Sequence, residues 1–282
     1  MIRRADFAGS WYPGTPGECR AAIEGFLENG LPKPAHGILG VGGIVPHAGW
    51  YYSGEVAAKV MAVMAALRKP DLICVFGMHL GPSHPNIIMD KGEYETPLGN
   101  LSVAEDAAAL LVKGFDFLVE SPESHSPDNT IELQLPLVRY FFGDVKVLGI
   151  GAPPTIRSLA VARAVVDVAS HLGYRLSVIG STDLTHYGPN YGFSPRGQGP
   201  GAVKWVKEQN DFAVMNKMME LDAEGVISES LSNHNACCGG AAAAAIAASK
   251  SLGAVTAQKI AYTTSLEKGG GSSFVGYAGM VF

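Results

Sequence analysis

Short apolar runs that stop at Gly or Pro, with a histidine or aspartate close behind, recur along this chain and constrain its fold most. Asp71–Gly77 reads Asp-Leu-Ile-Cys-Val-Phe-Gly, with Pro70 before it and His79 two residues after it. Gly37–Val45 leads into Pro46-His47, and Tyr174–Gly180 leads into Ser-Thr-Asp-Leu-Thr-His at 181–186. Val145–Ile150 is a fourth run. An unbroken apolar run of this length, bounded by turn formers, is the pattern of a strand buried on both faces. Between the runs lie segments of helical character at 54–67, 104–112, 156–171, 204–219, 223–231 and 238–252. Another spans 128–142, with Asp128 as its N-cap, and strands are expected at 255–263 and 274–282. Alternation of this kind predicts an α/β three-layer sandwich around a mainly parallel sheet. No linker, repeat or charge block divides residues 1–282, so a single domain is expected.

Composition narrows the partners. Net charge is −5 with only 17% charged residues, and there is no basic tract, which argues against nucleic acid. No stretch of about 18 apolar residues is present, so no membrane span is expected. The N-terminal Met-Ile-Arg-Arg-Ala-Asp has no apolar signal core behind it, and four cysteines make no disulfide framework, so a cytoplasmic location is expected. No Gly-x-Gly-x-x-Gly or P-loop follows any predicted strand, so a nucleotide is not expected as ligand.

Open α/β sheets bind ligands beyond the carboxyl ends of their strands. His47, His79, Asp183 and His186 all fall there, with His84 competing with His79. Cys238, in Asn-Ala-Cys-Cys-Gly-Gly at 235–240, opens an Ala-rich helix whose dipole favours a thiolate, and Cys237 beside it is the alternative. Two imidazoles and a thiolate would make a mononuclear metal centre with open coordination positions. Asp183 and His186 suggest an acid/base pair in which a carboxylate positions a proton-carrying imidazole. Trp11, Tyr12, Trp50 and Tyr187 could wall a pocket for a small aromatic molecule, joined by His125 and Glu132. The Gly/Pro-rich loop at 188–201 could close over it.

Ala-Gly-Ser-Trp-Tyr-Pro (8–13), Val-Pro-His-Ala-Gly-Trp-Tyr-Tyr-Ser-Gly (45–54), Thr-Pro-Leu-Gly (96–99), Ile-Glu-Leu-Gln-Leu-Pro (131–136), Ser-Thr-Asp-Leu-Thr-His-Tyr-Gly (181–188), Cys-Gly (238–239) and Ser-Ser-Phe-Val-Gly-Tyr-Ala-Gly (272–279) occur in order. This ordered set resembles the Memo family, also called the AmmeMemoRadiSam system protein B family. The resemblance implies a fold similar to LigB-type class III extradiol dioxygenases, non-haem iron enzymes that open catechol rings. It implies His47, His79 and Cys238 as metal ligands, His186 as acid/base and Asp183 as its companion. Iron (Fe2+) is the metal it suggests, with copper or zinc in competition because Cys238 stands where the dioxygenases use a carboxylate. It further implies radical-SAM and AMMECR-type protein partners. A phosphotyrosine-binding adaptor and a metal-assisted hydrolase are the rival readings. The chain departs from the family pattern at Gly77-Met78-His79, one residue shorter than usual, and at His125, seven residues before Glu132 with Asn129 in the expected histidine position.

Overall fold

The computed structural model describes residues 1–282. Its strands are β1 (Ile2–Arg3), β2 (Gly42–Val45), β3 (Leu72–Gly77), β4 (Asn86–Met89), β5 (Glu93–Tyr94), β6 (Leu101–Ser102), β7 (Phe117–Glu120), β8 (Lys146–Gly151), β9 (Leu176–Ser181), β10 (His186–Tyr187), β11 (Gln258–Thr264) and β12 (Phe274–Val281). Its α-helices are α1 (Pro16–Leu27), α2 (Trp50–Leu67), α3 (Glu105–Gly114), α4 (Asn129–Glu132), α5 (Leu135–Phe142), α6 (Ile156–His171), α7 (Pro200–Trp205), α8 (Asp211–Met219), α9 (Ala223–Asn233) and α10 (Gly239–Ser251). No helix is long and apolar enough to cross a membrane.

Nine strands form one sheet in the order β10-β12-β2-β9-β3-β8-β4-β7, with β11 paired to β12 beside that path. At its centre β2, β9, β3 and β8 run parallel. The wings are mixed: β12 joins β2 antiparallel, and β4 joins β8 antiparallel. Every residue of β2, β3 and β9 is buried, which is why these strands read as continuous apolar runs. Strands β4 and β7 lie towards the far edge, and their four-residue lengths gave no comparable signal. Strands β1, β5 and β6 make a separate three-stranded sheet.

The two-residue period of a strand shows the layers directly. A Cβ on Gly42 would strike Ser249 of α10, whereas one on the next residue, Gly43, would strike Val60 and Met64 of α2. Helices thus cover both faces of the sheet, as the alternating pattern predicts. The segment at 128–142 is two helices rather than one. Asp128 does cap it, accepting from Ile131 N at 3.0 Å, but α4 ends at Glu132. Pro136 has no N–H to give the Glu132 carbonyl, so it serves instead in the first turn of α5. The helix predicted at 204–219 begins at Pro200 and passes through a π-type turn at Val206–Asn210 before α8.

That turn delivers Asp211 into the core, where it is fully buried. Its Oδ1 accepts from Thr185 N at 3.0 Å and from the Thr185 hydroxyl, and its Oδ2 accepts from Tyr262 Oη at 2.8 Å. Burial pushes the carboxyl up to about 6, against these hydrogen bonds and the nearby His186. The unfolded chain would hold this proton only near the ordinary value of about 3.9. Between about pH 4 and 6 the folded state therefore carries a proton that the unfolded state lacks, and stability falls as pH rises through that window. About two pKa units correspond to at most about 3 kcal/mol. Urea unfolding of wild type and Asp211→Asn at a series of pH values should show wild type losing this much relative to the variant between pH 4 and 6. A difference that stays constant over the window would show that Asp211 is not the group responsible.

Candidate metal centre

Three neighbouring parallel strands end at one place. Val45 is in register with Ser181, and Phe76 with Gly180. Pro46-His47, Thr182-Asp183 and Met78-His79 consequently leave the sheet side by side. The start of α10 is clamped against the same edge: Cys237 N donates to Asp183 O at 3.1 Å, and Cys238 N to Thr182 Oγ1 at 3.0 Å.

His47 is buried, and its Nδ1 lies 3.0 Å from Ser181 Oγ. The Ser181 hydroxyl gives its own proton to Thr130 O at 2.6 Å and accepts from Gln134 Nε2 at 3.3 Å. Having no proton left to offer, it must accept from His47 Nδ1–H, which leaves Nε2 to face the cluster. His79 reaches the same point through Met78, whose φ of 68° is rare for a side chain of this size. Met78 N donates to Thr130 Oγ1 at 2.6 Å and Leu80 N to Met78 O at 2.9 Å, closing a sharp turn. The His47 and His79 rings meet edge to face, centroids 4.9 Å apart. His84, in contrast, is exposed and accepts from Gly81 N through Nδ1 at 3.1 Å, outside the cluster.

Both cysteines join the histidines. Cys237 Sγ is 3.2 Å from His47 Nε2 and 3.9 Å from Cys238 Sγ. The donor atoms of His47, His79, Cys237 and Cys238 all lie within 4.8 Å of one another, a set that could hold a metal ion. Cys238 is 4% exposed and sits in the core, while Cys237 reaches the adjoining cavity. Burial works against a charged His47, but the Asp183 carboxylate and the Cys237 thiol outweigh it and raise the ring to about 9. Burial also opposes a charged Cys237, yet its contact with Cys238 and the positive His47 hold it well below the ordinary thiol value. Burial and its hydrogen bond with Cys237 push Cys238 well up.

A cavity of about 610 Å³ opens beside the cluster, lined by His79 and Cys237 together with His186, Tyr191, Phe193 and His234. No lysine or arginine lines it. His186 Nδ1 lies 3.2 Å from Leu184 O, and a carbonyl only accepts, so Nδ1 carries the proton and Nε2 is free. Its ring meets Tyr191 edge to face at 5.0 Å. Asp183 is buried and is engaged with His47 rather than His186: Oδ1 accepts from His47 N at 2.7 Å, and Oδ2 lies 3.9 Å from His47 Nε2. Burial raises the Asp183 carboxyl, with His47 pulling the other way.

The aromatic walls differ from the sequence expectation: Trp11, Tyr12, Trp50, Tyr187, Glu132 and His125 do not line this cavity. Glu132 accepts from Asp6 N, Phe7 N and Tyr12 Oη at 2.8–3.0 Å, and so moors the N-terminal segment. Trp50 is buried against Tyr12 and Phe26 and donates from Nε1 to Leu133 O. Trp11 rests on Phe7, and His125 pairs with Asp6 at 3.3 Å. Tyr187 is buried in a small second core and pins the following loop, donating to Gly197 O and accepting from Arg196 N. The rings that do line the cavity, Tyr191 and Phe193, come from that Gly/Pro-rich loop. His234, which sequence reasoning passed over, arrives because it ends α9 in a left-handed conformation, φ 50°. Its place between Asn233 and Asn235 is the available signal, since asparagine is frequent where a helix stops.

Comparison with known proteins finds relatives over the whole chain. The family model described as Memo-like protein matches residues 3–281. A MEMO1 family protein of Desulfurococcus amylolyticus is 33% identical, covering 98% of this chain and 96% of its own. MEMO1 family proteins of Pyrococcus furiosus and Methanopyrus kandleri are each 32% identical, with 100% of this chain and 99% of theirs covered. A match over nearly every residue, carried by relatives of the same length, means that the chain belongs to the Memo-like protein family.

Proposed function

We propose that this protein is a metal-dependent oxidoreductase of dioxygenase type, holding Fe(II) through His47, His79 and Cys238 and acting on a small phenolic compound. The observation that supports this most is the four-donor cluster beside a cavity that also receives His186, a histidine outside the cluster. The residues fit a metal: Ser181 fixes the His47 tautomer with Nε2 outward, and imidazole with thiolate suits iron, zinc or copper. When bound, iron would supply a Lewis acid for a phenolic oxygen and electrons for dioxygen. His186 Nε2 takes the hydroxyl proton and later returns it, while the Leu184 carbonyl keeps the ring in one tautomer. Asp183 holds the His47 backbone in place and lowers the cost of positive charge among the donors. Tyr191 and Phe193 give the cavity aromatic walls suited to a flat substrate. A cavity without lysine or arginine is poorly suited to a phosphorylated partner, which counts against the adaptor reading.

The test is reconstitution with Fe(II) without oxygen, followed by titration with catechols. A catechol-dependent visible absorption is expected, together with oxygen uptake on admission of air. His186→Gln should keep the iron and the absorption and lose turnover by about 10²-fold or more. Protein that takes up zinc, rejects iron and shows no response to catechols or phenols would sink this reading and favour metal-assisted hydrolysis.

A further inference from the structure

Resting on the metal centre proposed above, we propose that Cys237 is a fourth protein ligand added to His47, His79 and Cys238, so that the protein supplies two imidazoles and two thiolates. Cys237 becomes the residue that sets metal selectivity. The Sγ atoms are 3.9 Å apart. Two thiolates each about 2.3 Å from a tetrahedral ion stand about 3.8 Å apart, so little movement is required. Of the two sulfurs it is Cys237 that touches His47 Nε2, at 3.2 Å.

Adjacent side chains in extended backbone point to opposite sides. Here they converge because Cys238 turns the chain into α10 at φ −124°, ψ 53°. The turn is held from both sides by the bonds of Cys237 N to Asp183 O and Cys238 N to Thr182 Oγ1. The pairing is thus imposed by backbone hydrogen bonds. The other two cysteines show the contrast: Cys19 and Cys74 are wholly buried among apolar residues and belong to the core. Cys237 is half-buried, and beyond the cluster its sulfur has only a long contact, 3.8 Å, to Thr182 Oγ1.

A second thiolate has chemical consequences. It cancels the remaining charge of a divalent ion and softens the donor set. Thiophilic ions, Zn(II), Cu(I) and Cd(II), gain relative to harder ones such as Mn(II).

Cobalt(II) titration reads the number of sulfur ligands through the near-ultraviolet thiolate-to-metal absorption. Cys237→Ser and Cys238→Ser should each keep roughly half the wild-type intensity, the double variant should lose it, and Zn(II) affinity of Cys237→Ser should fall about tenfold or more. In unmutated protein, Zn(II) should slow alkylation of Cys237 by iodoacetamide, a readout that does not depend on any variant folding. Full absorption in Cys237→Ser, or equal alkylation with and without zinc, would overturn the proposal while leaving a one-thiolate centre intact. Absorption lost entirely in Cys237→Ser and kept in Cys238→Ser would overturn it too, since Cys237 would then replace Cys238. Wild-type protein that binds no cobalt would instead refute the metal centre itself.

Discussion

His47→Ala should lose more than about 100-fold in affinity for Zn(II) or Co(II), beyond the roughly 10–100-fold that follows loss of an outer partner of a ligand. The side chain presents one lone pair to the cluster, and Ser181 holds it there at 3.0 Å. The backbone around it does not depend on the ring. His47 N donates to Asp183 Oδ1 and Asn129 Nδ2 donates to His47 O, and both bonds survive the substitution. Ser181 keeps Thr130 and Gln134 as partners. The metal-free variant should accordingly fold, with a far-ultraviolet spectrum like that of wild type. Competition against a chromophoric chelator measures the affinity. A loss smaller than tenfold would remove His47 from the ligand set.

Gly240→Val should destabilise the fold beyond the roughly 3 kcal/mol at the upper end for overpacking, and should lose the metal site with it. A Cβ on Gly240 would collide with Ala152 O and with Pro153 C and O. These are backbone atoms, which cannot rotate aside. The helix also lies close on the sheet, since a Cβ on Gly180 would stand 2.8 Å from both Ala241 O and Ala245 Cβ. The Ala-rich α10 therefore lies flush on β9, and relief requires the whole N-terminal turn to move. That turn carries Cys237 and Cys238. Urea unfolding and cobalt titration of the same sample test both effects. Gly25→Ala, where a Cβ meets open space, is the control. A variant within about 1 kcal/mol of wild type would show that α10 has room to shift.

Much of the fold was legible because its signals are local. Strands β3, β8 and β9 follow from apolar runs that only a two-sided burial accommodates, and α6 and α10 appear within one or two residues of the segments read from the sequence. Asp128 announced its cap. The short strands β4 and β7 and the break between α4 and α5 are not legible in the sequence: four residues carry too little periodicity, and Pro136 lies inside an otherwise helical pattern.

The site divides along the same line. The sequence by itself determined that His47, His79, Asp183 and His186 follow strands, and parallel topology then sends all of them to one edge of the sheet. Which of them touch was decided by tertiary structure, because the partners lie far apart in the chain. His47 meets Cys237 across 190 residues, and its backbone meets Asp183 across 136. Local pattern carries no information on such register. Backbone conformation settled the closest alternatives. The positive φ at Met78 swings His79 rather than His84 into the cluster, and the turn at Cys238 brings Cys237 in beside it. The aromatic residues separated for the same reason: a ring reads alike in sequence whether it fills the core, as Trp50 and Tyr187 do, or faces a cavity, as Tyr191 does, and only the packing around it distinguishes the two.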